Sequence, residues 1–312
     1  MRCRICQNET NPETYHVREI VRNTGDPFTF FRCSQCGCLQ IEEFPSDMSK
    51  YYDGDYYSLQ GDPFDRLPPW KQKITLWKEY LSLFWARPVG KVVFRDFFMR
   101  KWLTMVPWNR KQRILDIGCG NGYFLRMLQR QGFRHLTGAD PFIDKEIHEG
   151  TGFRLLKQAI DQVEGEYDVI VMSHSLEHMP DQHLAFQNMR RLLAPNGYLA
   201  VMIPMYSAYF LKKYGNFWYS WSIPHHFYLH SEQSFEKLVR ENGLLIEKSV
   251  PYSFINCLLE SEVNLAYLNQ DADAEKRVRE WTPARWRKEL AKLNRAGLSD
   301  CHNFLLRRAP SN

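Results

Sequence analysis

Between residues 113 and 250, short apolar runs alternate with longer segments whose apolar residues recur at helical spacing. Short apolar runs bounded by turn residues predict strands, and the periodic segments predict amphipathic helices. The predicted strands are 113–117, 135–140, 153–157, 167–173, 197–203 and 244–250. The predicted helices are 122–131, 142–149, 181–193 and 231–242. This alternation indicates an α/β fold with a parallel sheet built from βαβ units.

The segments on either side of this region follow other patterns. Residues 1–45 predict small β-hairpins, and the polar, tyrosine-rich residues 46–60 predict a loop. The remaining predicted segments are a linker over 61–70, two helices over 71–106 broken near Pro88, a helical insertion over 252–295 broken at Pro283, and a last strand over 301–309. We therefore divide the chain into a small module (1–60), a helical linker or cap (61–110) and an α/β domain (111–312) that contains the insertion.

Size and composition fit this division. The chain has 312 residues, of which 44% are hydrophobic and 25% charged, with a formal net charge of +5. That length accommodates one full α/β domain and a smaller module, and the modest charge does not by itself argue for a nucleic acid partner. The amino terminus lacks the apolar stretch of a secretory signal. We therefore expect a cytoplasmic protein whose eight cysteines are reduced or bound to metal.

The turn after the first strand of the α/β region carries three glycines, in the sequence Asp-Ile-Gly-Cys-Gly-Asn-Gly at 116–122. Glycine permits tight turns and close approach of a ligand, and the helix that follows offers free N–H groups. A dinucleotide-binding turn has the pattern G-x-G-x-x-G and receives a pyrophosphate, which Asp116 would repel. Asp116 suits an ammonium group instead, while the glycine N–H groups can meet a carboxylate.

This stretch resembles the first motif of class I S-adenosylmethionine (SAM)-dependent methyltransferases. The resemblance implies a Rossmann-like, seven-stranded, mostly parallel sheet. Asp140, at the end of the second strand, would accept bonds from ribose hydroxyls, although it could instead cap a helix. Gln158 and Ile160 would border the adenine, with Asp161 as an alternative contact. The expected SAM-binding residues are Asp116, Gly118, Cys119, Gly120, Asn121, Gly122, Tyr123, Asp140, Gln158, Ile160, Ser173 and His174.

The fourth strand opens into a polar segment, YDVIVMSHSLEHMPD at 167–181. It resembles the LEHxxD signature of methyltransferases of the ubiquinone-biosynthesis and sugar-methylating type, and residues 190–204 resemble the turn and strand that follow. Histidine titrates near neutral pH and can act as a base where an acceptor must lose a proton. The candidates for catalysis or acceptor binding here are Glu177, His178, His225 and His226, and His174 could either act as a base or form a wall of the SAM pocket. The alternatives are a structural role for His178 and a sheet-edge loop at 225–226.

Two cysteine pairs near the amino terminus, Cys3-x2-Cys6 and Cys33-x2-Cys36, are 26 residues apart. Four thiolates from two such turns make a tetrahedral zinc site, and with all four positions filled by protein the zinc is structural. The alternative is two pairs of reduced thiols, and Cys38 is a further thiol beside the second pair. The other cysteines, at 119, 257 and 301, are expected to be isolated core residues.

The cysteine pairs are followed by the tract FPSDMSKYYDGDYYS. A two-pair module followed by paired tyrosines resembles the amino-terminal zinc-binding domain of sugar C-methyltransferases, and methyltransferases of bacterial polysaccharide pathways. The resemblance implies a sugar, nucleotide-sugar or glycan acceptor. The paired tyrosines Tyr51, Tyr52, Tyr56 and Tyr57 could shape the acceptor pocket, because aromatic faces favour a sulfonium cation, and Tyr56 and Tyr57 are the active-site candidates. The alternative is packing between the two domains. The sugar C-methyltransferases run longer at the carboxyl terminus, which leaves both O- and C-methylation open.

Residues 61–113 combine 12 Lys and Arg with only 4 Asp and Glu, and they contain five tryptophans. Two hypotheses fit this pattern. The 71–106 segment could pack on the α/β domain with its basic side chains turned outward, which we favour. It could instead rest peripherally on anionic lipid.

Among functions, methyl transfer from SAM to a sugar or glycan is favoured. An RNA methyltransferase is the alternative, because zinc modules also precede RNA-modifying domains and the basic helices could follow phosphates. However, residues 1–60 hold nine acidic and six basic residues, which makes that module a poor surface for nucleic acid. A non-catalytic SAM-binding protein is a second alternative. The acceptor, the methylated atom and the oligomeric state are left open.

Overall fold

A computed structural model describes residues 1–310 with the exception of residues 10, 21, 23, 52–61, 85–99 and 151. The strands are β1 Glu13–Arg18, β2 Pro27–Arg32, β3 Leu39–Ile41, β4 Arg113–Ile117, β5 His135–Ala139, β6 Ile147–Glu149, β7 Phe153–Leu156, β8 Tyr167–Ser173, β9 Leu193–Pro204, β10 Tyr228–Leu229, β11 Leu244–Pro251 and β12 Cys301–Arg308. The helices are α1 Pro69–Phe84, α2 Arg100–Leu103, α3 Tyr123–Arg130, α4 Gln182–Leu192, α5 Ala208–Tyr214, α6 Glu232–Glu241, α7 Ile255–Leu268, α8 Ala272–Glu280 and α9 Pro283–Arg295.

The central sheet has the strand order β11-β12-β9-β8-β4-β5-β7-β6. Strands β9, β8, β4, β5 and β7 are parallel to their neighbours in this run, whereas β12 lies antiparallel between β9 and β11. Because successive parallel strands are joined by crossovers, their carboxyl ends meet at one edge, where ligands of such sheets bind. The predicted Rossmann-like α/β fold is confirmed, with eight strands rather than the expected seven.

The extra strand is β6, and it corrects one predicted element. Residues 142–149 were expected to form a helix, but they form a turn followed by β6, whose Ile147 and Glu149 pair antiparallel with β7. Strand β7 would otherwise present an unpaired edge, and backbone groups at such an edge gain partners from any adjacent extended segment. Eight residues of weak helical periodicity do not compete with that pairing.

The other predicted elements of the α/β region are confirmed within a few residues. The expected insertion consists of three helices, α7, α8 and α9, and the break at Pro283 is the first residue of α9. Thr282 caps that helix, because its side chain accepts a hydrogen bond from the backbone N–H of Arg285. Helix α5 was not anticipated. Among the described residues, no helix has both the length and the apolar character to traverse a bilayer.

The amino-terminal sheet has the order β1-β2-β3-β10 and therefore includes a strand from much later in the chain. Strands β1 and β2 form the predicted hairpin, with Glu13 opposite Arg32. Strand β10 pairs with β3 through Tyr228 and Gln40. Buried side chains of the cysteine-bearing segment share one core with the carboxyl-terminal half of the sheet. The first module is thus packed on the α/β domain, although its boundary at residue 60 remains a prediction.

Candidate functional site

The glycine turn after β4 adopts a backbone that other residues rarely reach. Gly118, Gly120 and Gly122 have φ values of 73°, 50° and 76°. The Gly118 N–H donates to the carbonyl oxygen of Ala139 at 2.8 Å, which joins the turn to the end of β5. A Cβ atom on Gly118 would lie 2.5 Å from the Cβ of Ser175, so a side chain there would collide with the loop after β8. The turn is therefore pressed between two strand ends.

Two buried carboxylates flank this turn. Asp116 is 4% exposed, and its burial, followed by repulsion from Asp140, raises its pKa to about 8. Asp140 is also buried and accepts hydrogen bonds from the N–H groups of Gly120 and Phe142, each at 2.9 Å. The helix-cap alternative for Asp140 is wrong, because a turn and β6 follow it instead of a helix, and its second oxygen holds the glycine turn. A positively charged ligand group beside Asp116 would offset both the cost of burying its negative charge and the repulsion from Asp140.

The remaining expected SAM-binding residues lie around the same strand ends. The Asn121 side chain accepts a hydrogen bond from the Tyr123 N–H at 3.1 Å, and Cys119 is buried. Gln158 and Ile160 follow β7 and are half-buried. Ser173 is the last residue of β8, and His174 comes directly after it. The twelve residues thus lie at or just after the carboxyl ends of β8, β4, β5 and β7, which are neighbours in the sheet. We call this region the donor crevice.

A second group, the Glu177 cluster, consists of Glu177, His174 and His178 on the loop after β8, together with His226 from the segment before β10. Glu177 is 1% exposed, and neither carboxylate oxygen has a hydrogen-bond partner within the described residues. Its Oε1 lies 3.4 Å from His174 Nδ1 and 3.9 Å from His226 Nε2. Burial opposes its ionisation, but the nearby imidazoles outweigh this and lower the pKa of Glu177 to about 2. The cluster therefore holds a buried negative charge.

Backbone carbonyls fix how two of these imidazoles carry their protons. His178 Nδ1 lies 2.8 Å from the carbonyl oxygen of His225, and His226 Nδ1 lies 2.7 Å from that of Ser220. A carbonyl only accepts hydrogen bonds, so in the neutral rings both Nδ1 atoms carry the proton and both Nε2 atoms are bases. Burial also lowers the pKa of His226 to about 3 and keeps this ring neutral.

These lone pairs converge. The ligand atoms of Glu177, His178 and His226 lie within 4.8 Å of one another. Two neutral imidazoles and one carboxylate can receive a proton from a bound hydroxyl, and they can also hold a divalent cation.

The two adjacent histidines that the sequence could not tell apart have different surroundings. His226 belongs to the Glu177 cluster, whereas His225 is buried and its Nε2 lies 2.9 Å from the carbonyl oxygen of Tyr51. His225 thus faces the amino-terminal module, and its contacts are those of a residue that joins the two parts. Its role as an acceptor contact remains a prediction that these contacts do not favour.

Of the tyrosine tract, the structure describes only Tyr51. Its side chain is 1% exposed and its hydroxyl donates to Asp26 Oδ2 at 2.6 Å, which is packing within the amino-terminal module. Tyr56 and Tyr57, the predicted active-site tyrosines, lie outside the described residues.

One contributor to this region, Phe254, was not predicted from the sequence. Phe254, which precedes α7, contacts the His174 ring edge to face with centroids 5.6 Å apart, so the helical insertion reaches the Glu177 cluster. His174 itself has a φ of 52°, which is unusual for a residue with a side chain and is typical of functional loops. Phe254 sits in a stretch with no motif, and nothing in the sequence signals it.

Cys257 and Cys301 are buried core residues, as expected, and their sulfur atoms also lie 3.8 Å apart, close to the buried Asp300. The two belong to α7 and β12, which are distant in sequence. Cys119 is a buried core residue, as expected.

The four predicted metal ligands come together. The sulfur atoms of Cys3, Cys6, Cys33 and Cys36 all lie within 4.8 Å of one another. Cys3 is 3.6 Å from Cys36, and Cys6 is 3.5 Å from Cys33. Sulfurs placed about 2.3 Å from a tetrahedral zinc are about 3.8 Å apart, so these spacings fit zinc closely. Without a metal, hydrogen bonding to Cys36 lowers the pKa of the Cys3 thiol to about 5.

The two cysteine turns have the same backbone geometry. In the first, the Gln7 N–H donates to the Cys3 carbonyl and Gln7 has a φ of 61°; in the second, Gly37 bonds to Cys33 with a φ of 72°. Two equivalent turns that face each other are the arrangement of a zinc-binding module. Cys38 lies outside this group, fully buried, with its sulfur 3.7 Å from the carbonyl oxygen of Leu39.

Comparison with known proteins bears on the α/β domain and its strand-end site, and not on the cysteine module. A family model described as "Methyltransferase domain" matches residues 79–249, which is more than half of the chain. The ubiquinone biosynthesis O-methyltransferase of Cronobacter sakazakii is 29% identical over 99 residues, which cover 28% of this chain and 40% of that protein. The tRNA U34 carboxymethyltransferase of Nautilia profundicola is 25% identical over 127 residues, 35% of this chain and 42% of that protein. The chain thus spans about two fifths of the length of these relatives.

A solved cyclopropane synthase from Mycobacterium tuberculosis is 18% identical, with 75% of this chain and 83% of that chain covered and a TM-score of 0.43. The family match includes both the glycine turn and the Glu177–His178 loop of the structure. Because the family model matches more than half of the chain, the chain belongs to the methyltransferase domain family.

Proposed function

We propose that this protein transfers a methyl group from SAM to an oxygen or carbon atom of a sugar, nucleotide-sugar or glycan. The observation that carries the proposal is Asp116, a buried carboxylate whose pKa is raised to about 8 at the edge of a glycine turn. SAM, when bound, would supply a methyl group carried on a sulfonium. The acceptor atom would attack this methyl carbon in line with the carbon–sulfur bond, and the sulfur would leave.

The donor crevice fits the polar groups of SAM one by one. Asp116 pairs with the ammonium of the methionine part, which offsets its burial. Asp140 uses one lone pair on each oxygen for Gly120 and Phe142, and since a carboxylate offers about four acceptor sites, it retains capacity for ribose hydroxyls. Gln158 and Ile160 border the adenine at the end of β7.

The Glu177 cluster is assigned to the acceptor. His178 takes the proton from the acceptor hydroxyl on Nε2, since its Nδ1 is held by the His225 carbonyl. Glu177 stabilises the resulting imidazolium through its buried negative charge. A hydroxyl-rich acceptor also satisfies the carboxylate oxygens that have no partner within the described residues.

Two arguments support a sugar acceptor. The amino-terminal module resembles the zinc-binding domain of sugar C-methyltransferases, and the Glu177 cluster offers acceptors for hydroxyl groups. The module holds one structural zinc through Cys3, Cys6, Cys33 and Cys36, and takes no part in the reaction. It supports the acceptor side, because His225 meets the Tyr51 carbonyl and β10 completes the module's sheet.

A direct experiment separates donor binding from acceptor choice. Calorimetric titration of the full chain with SAM should give one site, and Asp116→Asn should weaken it by about 10- to 100-fold through loss of a charged hydrogen bond. Asp144→Asn is the matched control, since Asp144 is an exposed carboxylate that is not among the expected SAM-binding residues. Mass spectrometry of a panel of nucleotide-sugars and glycans should then show gain of one methyl. Unchanged affinity in Asp116→Asn would refute the donor site.

An RNA acceptor is a second candidate, favoured by the similarity to a tRNA U34 carboxymethyltransferase. The same mass-spectrometric assay with total tRNA decides between them. Methylation of RNA but of no sugar would replace the first proposal, and the excess of acidic residues in 1–60 argues against that outcome.

A further inference from the structure

Helix α1 carries large apolar side chains on its outer side. Trp70 is 61% exposed, Trp77 is 56% exposed and Ile74 is 42% exposed. Residues at these spacings lie along one face of an α-helix. Exposed tryptophans in a row are uncommon on a protein surface, and such a patch marks an interaction site.

The opposite face of α1 fixes the helix in this orientation. Glu79 is 2% exposed, with its Oε1 3.3 Å from Arg130 Nη2 and its Oε2 accepting from Gln131 Nε2 at 3.1 Å. Nearer the helix start, Gln72 Nε2 donates to the carbonyl oxygen of Leu67 at 3.0 Å. Leu83 completes this buried side. Because the inward contacts include a buried ion pair, the tryptophans cannot rotate inward without breaking it.

The charges of α1 are sorted in the same way. Lys71, Lys73 and Lys78 are all exposed, and they lie on both flanks of the tryptophan face. The one acidic residue of the helix, Glu79, points inward and is neutralised by Arg130. The outer side of α1 therefore presents an apolar stripe with lysines on its flanks.

We propose that this face of α1 rests on an anionic lipid surface, with the helix parallel to the bilayer. Trp70, Ile74 and Trp77 would enter the boundary between headgroups and acyl chains, where tryptophan is favoured, and the lysines would meet lipid phosphates. The helix has 16 residues and is too short to span the hydrocarbon core. A second copy of the chain is a poorer occupant, because two such faces would bring six lysines together.

The inference goes beyond the proposed function, since it gives the protein a lipid partner whatever the methyl acceptor is. The test is cosedimentation of the full chain with vesicles of phosphatidylcholine, alone or with about a third phosphatidylglycerol. Binding should be at least about tenfold stronger on the anionic vesicles and should weaken with salt. Trp70→Ser with Trp77→Ser should lower binding about tenfold or more. Lys71→Glu with Lys73→Glu and Lys78→Glu should abolish the preference for anionic vesicles.

Matched variants separate the helix face from general stickiness and net charge. Tyr267→Ser with Leu268→Ser removes two other exposed apolar side chains, which are 54% and 50% exposed on α7. A charge control reverses three lysines of α8 and α9, at positions Lys276, Lys288 and Lys292. Both controls should bind as the parent does, and thermal unfolding should confirm that all variants are folded.

Three outcomes would overturn the proposal. The first is equal binding to both kinds of vesicle, and the second is an equal loss of binding in the charge control. The third is a tryptophan variant that dissociates a dimer in sedimentation velocity but keeps its lipid binding, which would assign the face to a second copy. The assay uses neither methyl donor nor acceptor, so its failure leaves the proposed methyl transfer untouched.

Discussion

The donor crevice and the Glu177 cluster lie at the same edge of the central sheet but are assembled differently. The central part of the donor crevice comes from one stretch of chain, in which β4, the glycine turn and the end of β5 follow one another between Asp116 and Asp140. The Glu177 cluster joins the loop after β8 to His226, and it is surrounded by Phe254 and by the backbone of His225.

This difference separates what the two regions depend on. Local backbone geometry makes the donor crevice, so it should tolerate damage elsewhere and fail when the turn is distorted. Tertiary contacts make the Glu177 cluster, including the bond from His225 to the amino-terminal module, so distant changes should reach it. The predictions below test that separation.

The largest effect is expected from His178→Asn. Loss of the base should lower the rate of methyl transfer about 10²- to 10⁴-fold and leave SAM affinity within about twofold. Single-turnover kinetics and calorimetry measure the two quantities. His135→Asn is the control, because His135 is an exposed histidine at the start of β5, at the opposite end of the strands from the cluster. An equal loss of SAM affinity in His178→Asn would show that the two regions are not separate.

Gly118→Ala should do the reverse and act on the donor crevice. The new Cβ would lie 2.5 Å from the Ser175 Cβ at a positive φ, so the turn must move. A displacement of about 1 Å can cost about 100-fold, and we expect that loss in SAM affinity by calorimetry. Gly150→Ala is matched, with a φ of 58° and nothing within 4 Å of its Cβ. A comparable loss of SAM affinity in both variants would show that backbone strain at a positive φ, and not the collision with Ser175, is the cause.

Removal of the metal site tests whether damage reaches the acceptor side from a distance. Cys33→Ser with Cys36→Ser should release the zinc, lower the unfolding temperature and reduce the methyl-transfer rate about tenfold. SAM affinity should change less than the rate. Elemental analysis counts the metal, and Cys38→Ala, which alters a buried cysteine outside the four-sulfur group, should retain it. If elemental analysis found no zinc in the purified parent protein, the predicted metal site would be wrong.

The smallest effect concerns pH. Asp116 must be ionised to pair with the SAM ammonium, and with a pKa of about 8 it is mostly protonated in the free protein at neutral pH. SAM affinity should therefore rise about fivefold between about pH 7 and pH 8. Calorimetry in two buffers should also detect proton release on binding. Asp116→Asn should show neither effect, and a pH-independent parent would exclude Asp116 as the ammonium partner.

The same pKa sets the sign of a stability effect. The folded-state pKa of Asp116 is raised above its ordinary value of 3.8, so the free folded protein favours the protonated form. Folding is then favoured below the ordinary pKa, and this contribution is lost as the pH rises towards about 8. Free Asp116→Asn, which is neutral throughout, should melt above the parent at pH 8.

The comparison also explains what the sequence could predict. The strands and the glycine turn depend on neighbouring residues, and both their positions and the fold class follow from periodicity. Strand β6 depends on the free edge of β7, and the two residues of β10 are too few for any period. The side chains of adjacent residues can point in opposite directions. The turn ahead of His225 and His226 decides that His226 lies near Glu177, and the sequence alone does not predict this.

The pairing of β3 with β10 has a consequence for how the protein is made. Synthesis proceeds from the amino terminus, so β3 leaves the ribosome long before Tyr228 and Leu229 exist. During that interval its outer edge is open to other chains, although the β1–β2 ladder and the cysteine turns can already form. Early zinc capture would protect the emerging chain, and a fragment ending before Tyr228 would expose that edge permanently and tend to aggregate.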